Sequence, residues 1–367
     1  MPIFTIPTDF KTSTVEQIAE KNKQWTMPIK EVYGSMNLSL FGSGRISSVL
    51  HEVDLNTVQK YVEVLDENDI LFNYTLNFIC ASNLEFTDKG KKETAKLLRK
   101  LHSIGIRRFT VASPSMLQLL KEVLPDAKAS VSVLSNVDSY ARLAAFVSYG
   151  NVDRIILPEY MNRKIAQTEK LVKQGRMLGY EFGTIVNSAC AIDCPYREFH
   201  HTFISHAVKG KNFKPRDYYG SKCALDRIEH PAEVLKSAWI RPEDLKHYAD
   251  LGISVFKIAG REMRNADFLR VVDIYNQGSF DGNFWELSRC FSEAPKFEEL
   301  DYAKLFTLQN KELGQFTSRF FASKSFCSTK DCETCNYCNS YSKLVQVNNY
   351  AKWKQTLESD ISFHGLT

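Results

Sequence analysis

The chain has 367 residues, a formal net charge of +4 and nine cysteines, with its basic residues scattered rather than massed on one segment, so charge alone makes no case for a nucleic-acid surface. No apolar run is long enough to cross a bilayer, and the opening MPIFTIPTDF lacks the basic region, apolar run and cleavage site of a signal peptide, so a cytoplasmic protein is expected. Disulfides are not expected in that reduced compartment, and a chain of this length buries enough core to fold without them.

The elements alternate from the start. Phe4 to Phe10 reads as a first strand, followed by a helix from Ser13 with Val15, Ile18 and Ala19 on one face. A second strand lies within Glu31 to Arg45 and ends in a glycine-rich turn; Asp54 then caps a helix with Leu55, Val58, Tyr61, Val62 and Leu65 at helical spacing. Ile70 to Cys80 is a third strand, and its helix stops at Gly105. Arg107 to Ser113, Ala129 to Asn136, Val152 to Tyr160 and Tyr180 to Asn187 continue as strands four to seven, with Pro114 in the first turn of one intervening helix. Ser254 to Glu262 is the eighth strand, and Ala266 to Tyr275 its helix. Eight such pairs in strict order, with short strands rich in Val and Ile and no GxGxxG after the first, predict a closed (β/α)8 TIM-like barrel rather than a doubly wound sheet. The barrel is expected over residues 1–280, with a cysteine-bearing insertion after strand seven at about 194–252, and a cysteine-rich C-terminal extension over 281–367.

Chemistry concentrates in NSACAIDCPYREFHH, Asn187 to His201, where a strand end meets a helix start. Loops after the strand ends of a barrel line its catalytic face, so Cys190 and Cys194 sit there, with Cys223 in the same insertion. Three thiolates on one loop system suit a soft metal or an iron–sulfur cluster, against the blander alternative of buried apolar thiols. The tail CSTKDCETCNYC places Cys327, Cys332, Cys335 and Cys338 in a C-x4-C-x2-C-x2-C pattern, closer to a ferredoxin-like cluster loop than to a zinc finger, with zinc left open. Cys80 and Cys290 remain as candidates for a fourth ligand at the barrel mouth, along with a tail cysteine.

Polar groups on the same face complete the candidate set. Glu159, His200, Lys257 and Arg261 are candidate catalytic residues, and Asn77, Asn187 and Arg197 candidate substrate-binding residues. The structural alternative is that Glu159 forms a barrel ion pair with Lys257 or Arg261, and that one of the adjacent His200 and His201 is ordinary. No HExxH and no GxSxG elbow is present, which leaves peptidase chemistry without a recognisable nucleophile or zinc site.

IILPEY after strand six, the cysteine at the end of strand seven, WIRPEDLKHYADLGISVFKIAGRE, TLN at Thr75 to Asn77 and PDAKASVSVLSNV at Pro125 to Val137 together resemble the collagenase-like peptidase family, peptidase family U32. The resemblance implies a barrel with a 4Fe-4S cluster on four cysteines. Its better understood members support oxygen-independent hydroxylation of the ubiquinone ring or of an RNA base, with prephenate as oxygen source. Cys190 matches the family's first cluster cysteine and Cys223 its last; Glu159 and the Lys257 to Arg261 group fall on similar motif positions. An anionic small molecule or RNA is the implied substrate, and a second homologous barrel an implied partner. The chain departs from the pattern in the close pair Cys190 and Cys194, in the alanine of FKIAGRE and in the four-cysteine tail.

Overall fold

The computed structural model describes residues 1–36, 52–206, 217–260, 265–288, 302–329 and 331–365. Eight parallel strands close into a barrel: β1 (Ile3–Pro7), β2 (Ile29–Gly34), β3 (Leu71–Leu76), β4 (Arg108–Val111), β5 (Lys128–Val131), β6 (Val152–Ile156), β7 (Glu181–Ile185) and β8 (Val255–Lys257). Closure is made by β1, which pairs with β2 on one side and with β8 on the other, Ile3 lying opposite Val255.

Helices α1 (Thr12–Asn22), α2 (Leu55–Glu67), α3 (Asp88–Ser103), α4 (Pro114–Val123), α5 (Tyr140–Val147) and α6 (Ile165–Met177) return the chain between successive strands. Their starts are written locally: Asp54 accepts from the Thr57 N–H at α2, and Ser113 accepts from Met116 at α4, where Pro114 occupies the first turn. Between β7 and β8 lie α7 (Arg197–His206), α8 (Tyr218–Glu229), α9 (Ala232–Leu235) and α10 (Leu245–Asp250), and α11 (Asn265–Gln277) follows β8. Among the described residues, no helix is long and apolar enough to cross a membrane.

The strands are shorter than the sequence pattern predicts at their C-terminal ends. Strand three stops at Leu76 rather than Cys80, strand eight at Lys257, and strand six at Ile156. Pro158 has no N–H for the ladder, so the chain turns there into a 3-10 segment, Glu159–Asn162, which carries Glu159 off the strand and over the barrel mouth.

Strand alternation sends Glu31, Asn73, Thr110 and Arg154 to the barrel interior near its N-terminal end. Glu31 accepts from Thr5 at 3.2 Å, Asn73 at 3.0 Å and Arg154 at 2.5 Å, while Arg108 Nε lies 3.6 Å away. Arg154 also reaches Glu181 at 2.9 Å, and Arg108 holds Asp153 with two bonds of 2.6 and 2.8 Å. Above this polar plug, Val133, Ile156, Ile185, Val255 and Ala259 form an apolar layer. Gly183 is required there: a Cβ would stand 2.7 Å from Ile156 Cδ1 and 2.9 Å from Val255 Cβ.

The extension comprises α12 (Tyr302–Leu305), β9 (Phe306–Thr307), α13 (Gly314–Ala322), α14 (Phe326–Thr329), α15 (Cys332–Cys335), α16 (Tyr337–Ser340), β10 (Gln346–Val347) and α17 (Tyr350–Ser362). It packs on the insertion. Trp239 packs against Phe284 with the rings tilted at 42° and centroids 4.8 Å apart, and meets Phe316 at 6.3 Å; α17 lies along α8, tied by Lys354 and Glu229 at 2.7 Å.

Candidate functional site

The loop leaving β7 is held from three directions. Asn187 donates to the carbonyls of Ala259 (2.8 Å) and Leu287 (3.0 Å) and accepts from Ala259 N–H at 2.7 Å. Ala189 O receives Arg227 of α8 at 2.5 Å. Cys190 to Ile192 then runs against residues 236–238, with Ala238 N donating to Cys190 O at 2.9 Å and Ile192 N to Lys236 O at 3.0 Å. Asn187, expected to bind substrate, thus has its amide engaged by backbone and fixes the loop that carries Cys190.

This loop and α8 bring Cys190, Cys194 and Cys223 into one electrostatic neighbourhood. Burial pushes the Cys190 thiol up to about 12, reinforced by Glu159 and the other two cysteines and opposed by Arg197. Burial also raises the Cys223 thiol, against the pull of Arg227. A metal held by such thiols would have to supply the positive charge that favours their thiolate form. The donor set suits a thiophilic iron–sulfur group, to which Cys190, Cys194 and Cys223 would contribute three ligands. Cys80 is half-buried on the loop after β3, where Ile79 N–H donates to Ser205 of α7 at 3.1 Å; Cys290 lies outside the described residues.

Beside the thiols stands a buried pair, Arg197 Nη2 and Glu159 Oε2, 2.6 Å apart with angles short of a hydrogen bond. Arg197 also donates through Nε to Asn136 at 3.1 Å and lies over the Tyr160 ring; its Nη1 is buried without a hydrogen-bond partner among the described residues. Glu159 therefore pairs with Arg197 rather than with Lys257, whose ammonium sits 3.5 Å from the centroid of the Tyr33 ring. Arg261 lies outside the described residues, and Asn77 is half-buried just after β3.

His200 Nε2 meets Asp217 Oδ2 at 2.7 Å and its ring stacks on His201, centroids 5.9 Å apart. Burial acts to raise the Asp217 carboxyl, but His200 and the Gly220 and Tyr219 N–H groups hold it below the ordinary range. The same carboxylate caps α8, so His200 links α7 to the helix bearing Cys223.

The tail cysteines Cys327, Cys332, Cys335 and Cys338 line a single cavity, and Ile192 of the barrel-mouth loop forms part of its wall. Cys332 Sγ lies 3.7 Å from Asp193 Oδ2, so the two cysteine groups, far apart in sequence, abut. Among the described residues, no three His, Cys, Asp or Glu side chains are gathered tightly enough to hold a single metal ion. Arg163, Lys236, Asn136 and Asp193 were not expected at the site, because each is a lone polar residue without a motif. Charged residues at inward positions of apolar strands, as in KEVYG and VDRII, were the available signal for the polar plug.

Residues 51–175 match the family model described as Peptidase family U32. An uncharacterized protease of Methanocaldococcus jannaschii, MJ1657, is 28% identical over 337 residues, covering 90% of this chain and 95% of that protein. Among solved structures, the U32 peptidase Mk0906 superposes with a TM-score of 0.49 at 17% identity, covering 71% of this chain and 93% of that one. A GH113 beta-1,4-mannanase gives 0.40 at 10% identity over 76% of this chain and 98% of that one. The family model over residues 51–175, the relative aligned along nearly the whole chain and the motifs around Glu159 and Cys190 agree in one likeness: the chain is similar to peptidase family U32.

Proposed function

We propose that this protein is an iron–sulfur-dependent enzyme that carries out oxygen-independent hydroxylation, or a related redox modification, of an anionic small molecule or an RNA base. What supports the reading is that the β7 loop and α8, joined by Arg227 and Ala189 O, carry Cys190, Cys194 and Cys223 in one electrostatic neighbourhood beside the buried Arg197–Glu159 pair. A 4Fe-4S cluster held by these thiols supplies a one-electron couple and a Lewis-acid position on any iron lacking a thiolate. Arg197, through its unpartnered Nη1, binds a negative group of the substrate, and Lys257 and Arg261 add positive charge. Glu159, or His200 held by Asp217, moves the proton. Asn187 and Arg227 keep the Cys190 loop in register, and Asn77 borders the same mouth.

Iron and sulfide analysis after anaerobic purification tests the cluster: a brown protein containing both is expected, and a colourless one with zinc or no metal defeats the reading. Activity is read by incubating the protein with prephenate and RNA or small-molecule extracts and searching for products one oxygen atom heavier. Cys190→Ala should abolish that product while leaving the circular dichroism unchanged; undiminished product would remove the cluster from catalysis. The peptidase alternative, carried by the family's name, predicts peptide cleavage that survives metal removal. A non-catalytic partner, working alone or beside a second homologous barrel, predicts neither.

A further inference from the structure

We propose that Cys327, Cys332, Cys335 and Cys338 hold a second 4Fe-4S cluster, docked against the back of the Cys190–Cys194 loop. The site is separate from the barrel-mouth reading, and only the total iron count rests on that reading. The four thiols line one cavity and arrive there from three short helices of the extension. Between α15 and α16 the chain passes through Asn336 in the left-handed conformation, φ 49°, and this single turn directs both Cys335 and Cys338 to the cavity.

A second observation points to an anionic occupant. Arg163 is only 3% exposed, its Nη1 and Nη2 donate to Trp239 O (2.8 Å) and Ser237 O (2.9 Å), and its buried Nε has no hydrogen-bond partner among the described residues. Its guanidinium lies over the Trp239 and Phe320 rings and acts electrostatically on Cys327 and Cys338. A permanent cation held so rigidly beside thiols suits a thiolate–sulfide centre, whose overall charge is about −2. Lys236 lines the cavity too, shared with Glu233 at 2.5 Å, and Asp193 sets an opposing carboxylate 3.7 Å from Cys332 Sγ.

A single zinc, which draws four sulfurs to about 2.3 Å from one point, is the competing occupant of the same thiols, and metal analysis separates the two. The cavity wall is also structural to the first site: Lys236 O accepts from Ile192, and Ala238 N donates to Cys190 O, within one three-residue segment. The tail site therefore braces the loop on which Cys190 and Cys194 stand.

Metal analysis of the full chain, purified without oxygen, tests the assignment. The native protein should carry about eight iron and eight sulfide and no zinc, and Cys335→Ser/Cys338→Ser about four of each. Cys190→Ser/Cys194→Ser should likewise keep about four, those of the tail. If the native chain holds only four, lost with the tail cysteines but not with Cys190 and Cys194, the barrel-mouth reading fails and the tail cluster stands. One zinc per chain lost with the tail cysteines, or an iron content indifferent to them, overturns the proposal. Should the double variant not fold, the single change Cys332→Ser, at the half-buried rim, replaces it: the electron paramagnetic resonance spectrum of the reduced protein should change, and an identical spectrum overturns the tail cluster.

Discussion

Glu31 shows what a single buried charge does in this barrel. Burial acts to raise its carboxyl, yet Arg154, Arg108 and Asn73 together hold it below the usual range. Removing it would leave two guanidinium groups facing each other in the interior with only Glu181 and Asp153 to answer them. Glu31→Ala should therefore lower unfolding stability by about 3–5 kcal/mol, read as a reduced urea midpoint at unchanged slope. Because the folded carboxyl is depressed, its stabilisation is present above the unfolded value of about 4.3 and is lost as pH falls through the lower folded value. The native protein should weaken with acid in that window, and Glu31→Ala should flatten the dependence; parallel acid profiles would show the plug is not responsible. Arg197 and Glu159 are a second buried pair, but at the opposite end, beside the thiols, where Arg197 Nη1 has no hydrogen-bond partner among the described residues.

At the scale of elements, α8 is the piece on which both ends of the insertion depend. Asp217 caps its start and ties it to His200 of α7, Cys223 and Arg227 face the β7 loop, and α17 covers its length. Leu357 of α17 is fully buried, so Leu357→Ala should cost about 2–5 kcal/mol. If α17 positions α8, the same variant should also speed alkylation of Cys223 in metal-free protein. A destabilised variant with native alkylation rates would show that α17 stabilises the fold without setting the Cys223 position.

For the whole molecule, the extension completes the barrel's core. Trp239 is 0% exposed because Phe284 and Phe316 cover it, and the main apolar core runs from Phe4 to Leu357 without a break. A chain ending at residue 280 should bind a hydrophobic dye and melt below the full protein, as an uncovered aromatic face requires. Equal melting temperatures would make residues 281–367 an independent unit.

Periodicity and caps made the eight-fold alternation legible in sequence, because inward and outward faces of strands and the first turns of helices are set by residues a few positions apart. The cysteine spacings at Cys190 and Cys194 and at Cys332 to Cys338 were legible for the same reason. What only the tertiary structure decided is long-range: that Arg227 of α8 holds the β7 loop at Ala189 O, that Glu159 takes Arg197 as its partner, and that Cys332 of the tail rests against Asp193. Strand ends also escaped the sequence reading, since a β-run of apolar residues continues past the point where Pro158 or the barrel rim ends the hydrogen-bond ladder. Local patterns record which face a side chain takes; closing the barrel and laying the extension across its insertion determine which distant faces meet, and at NSACAIDCPYREFHH those meetings bring the separate motifs to one site.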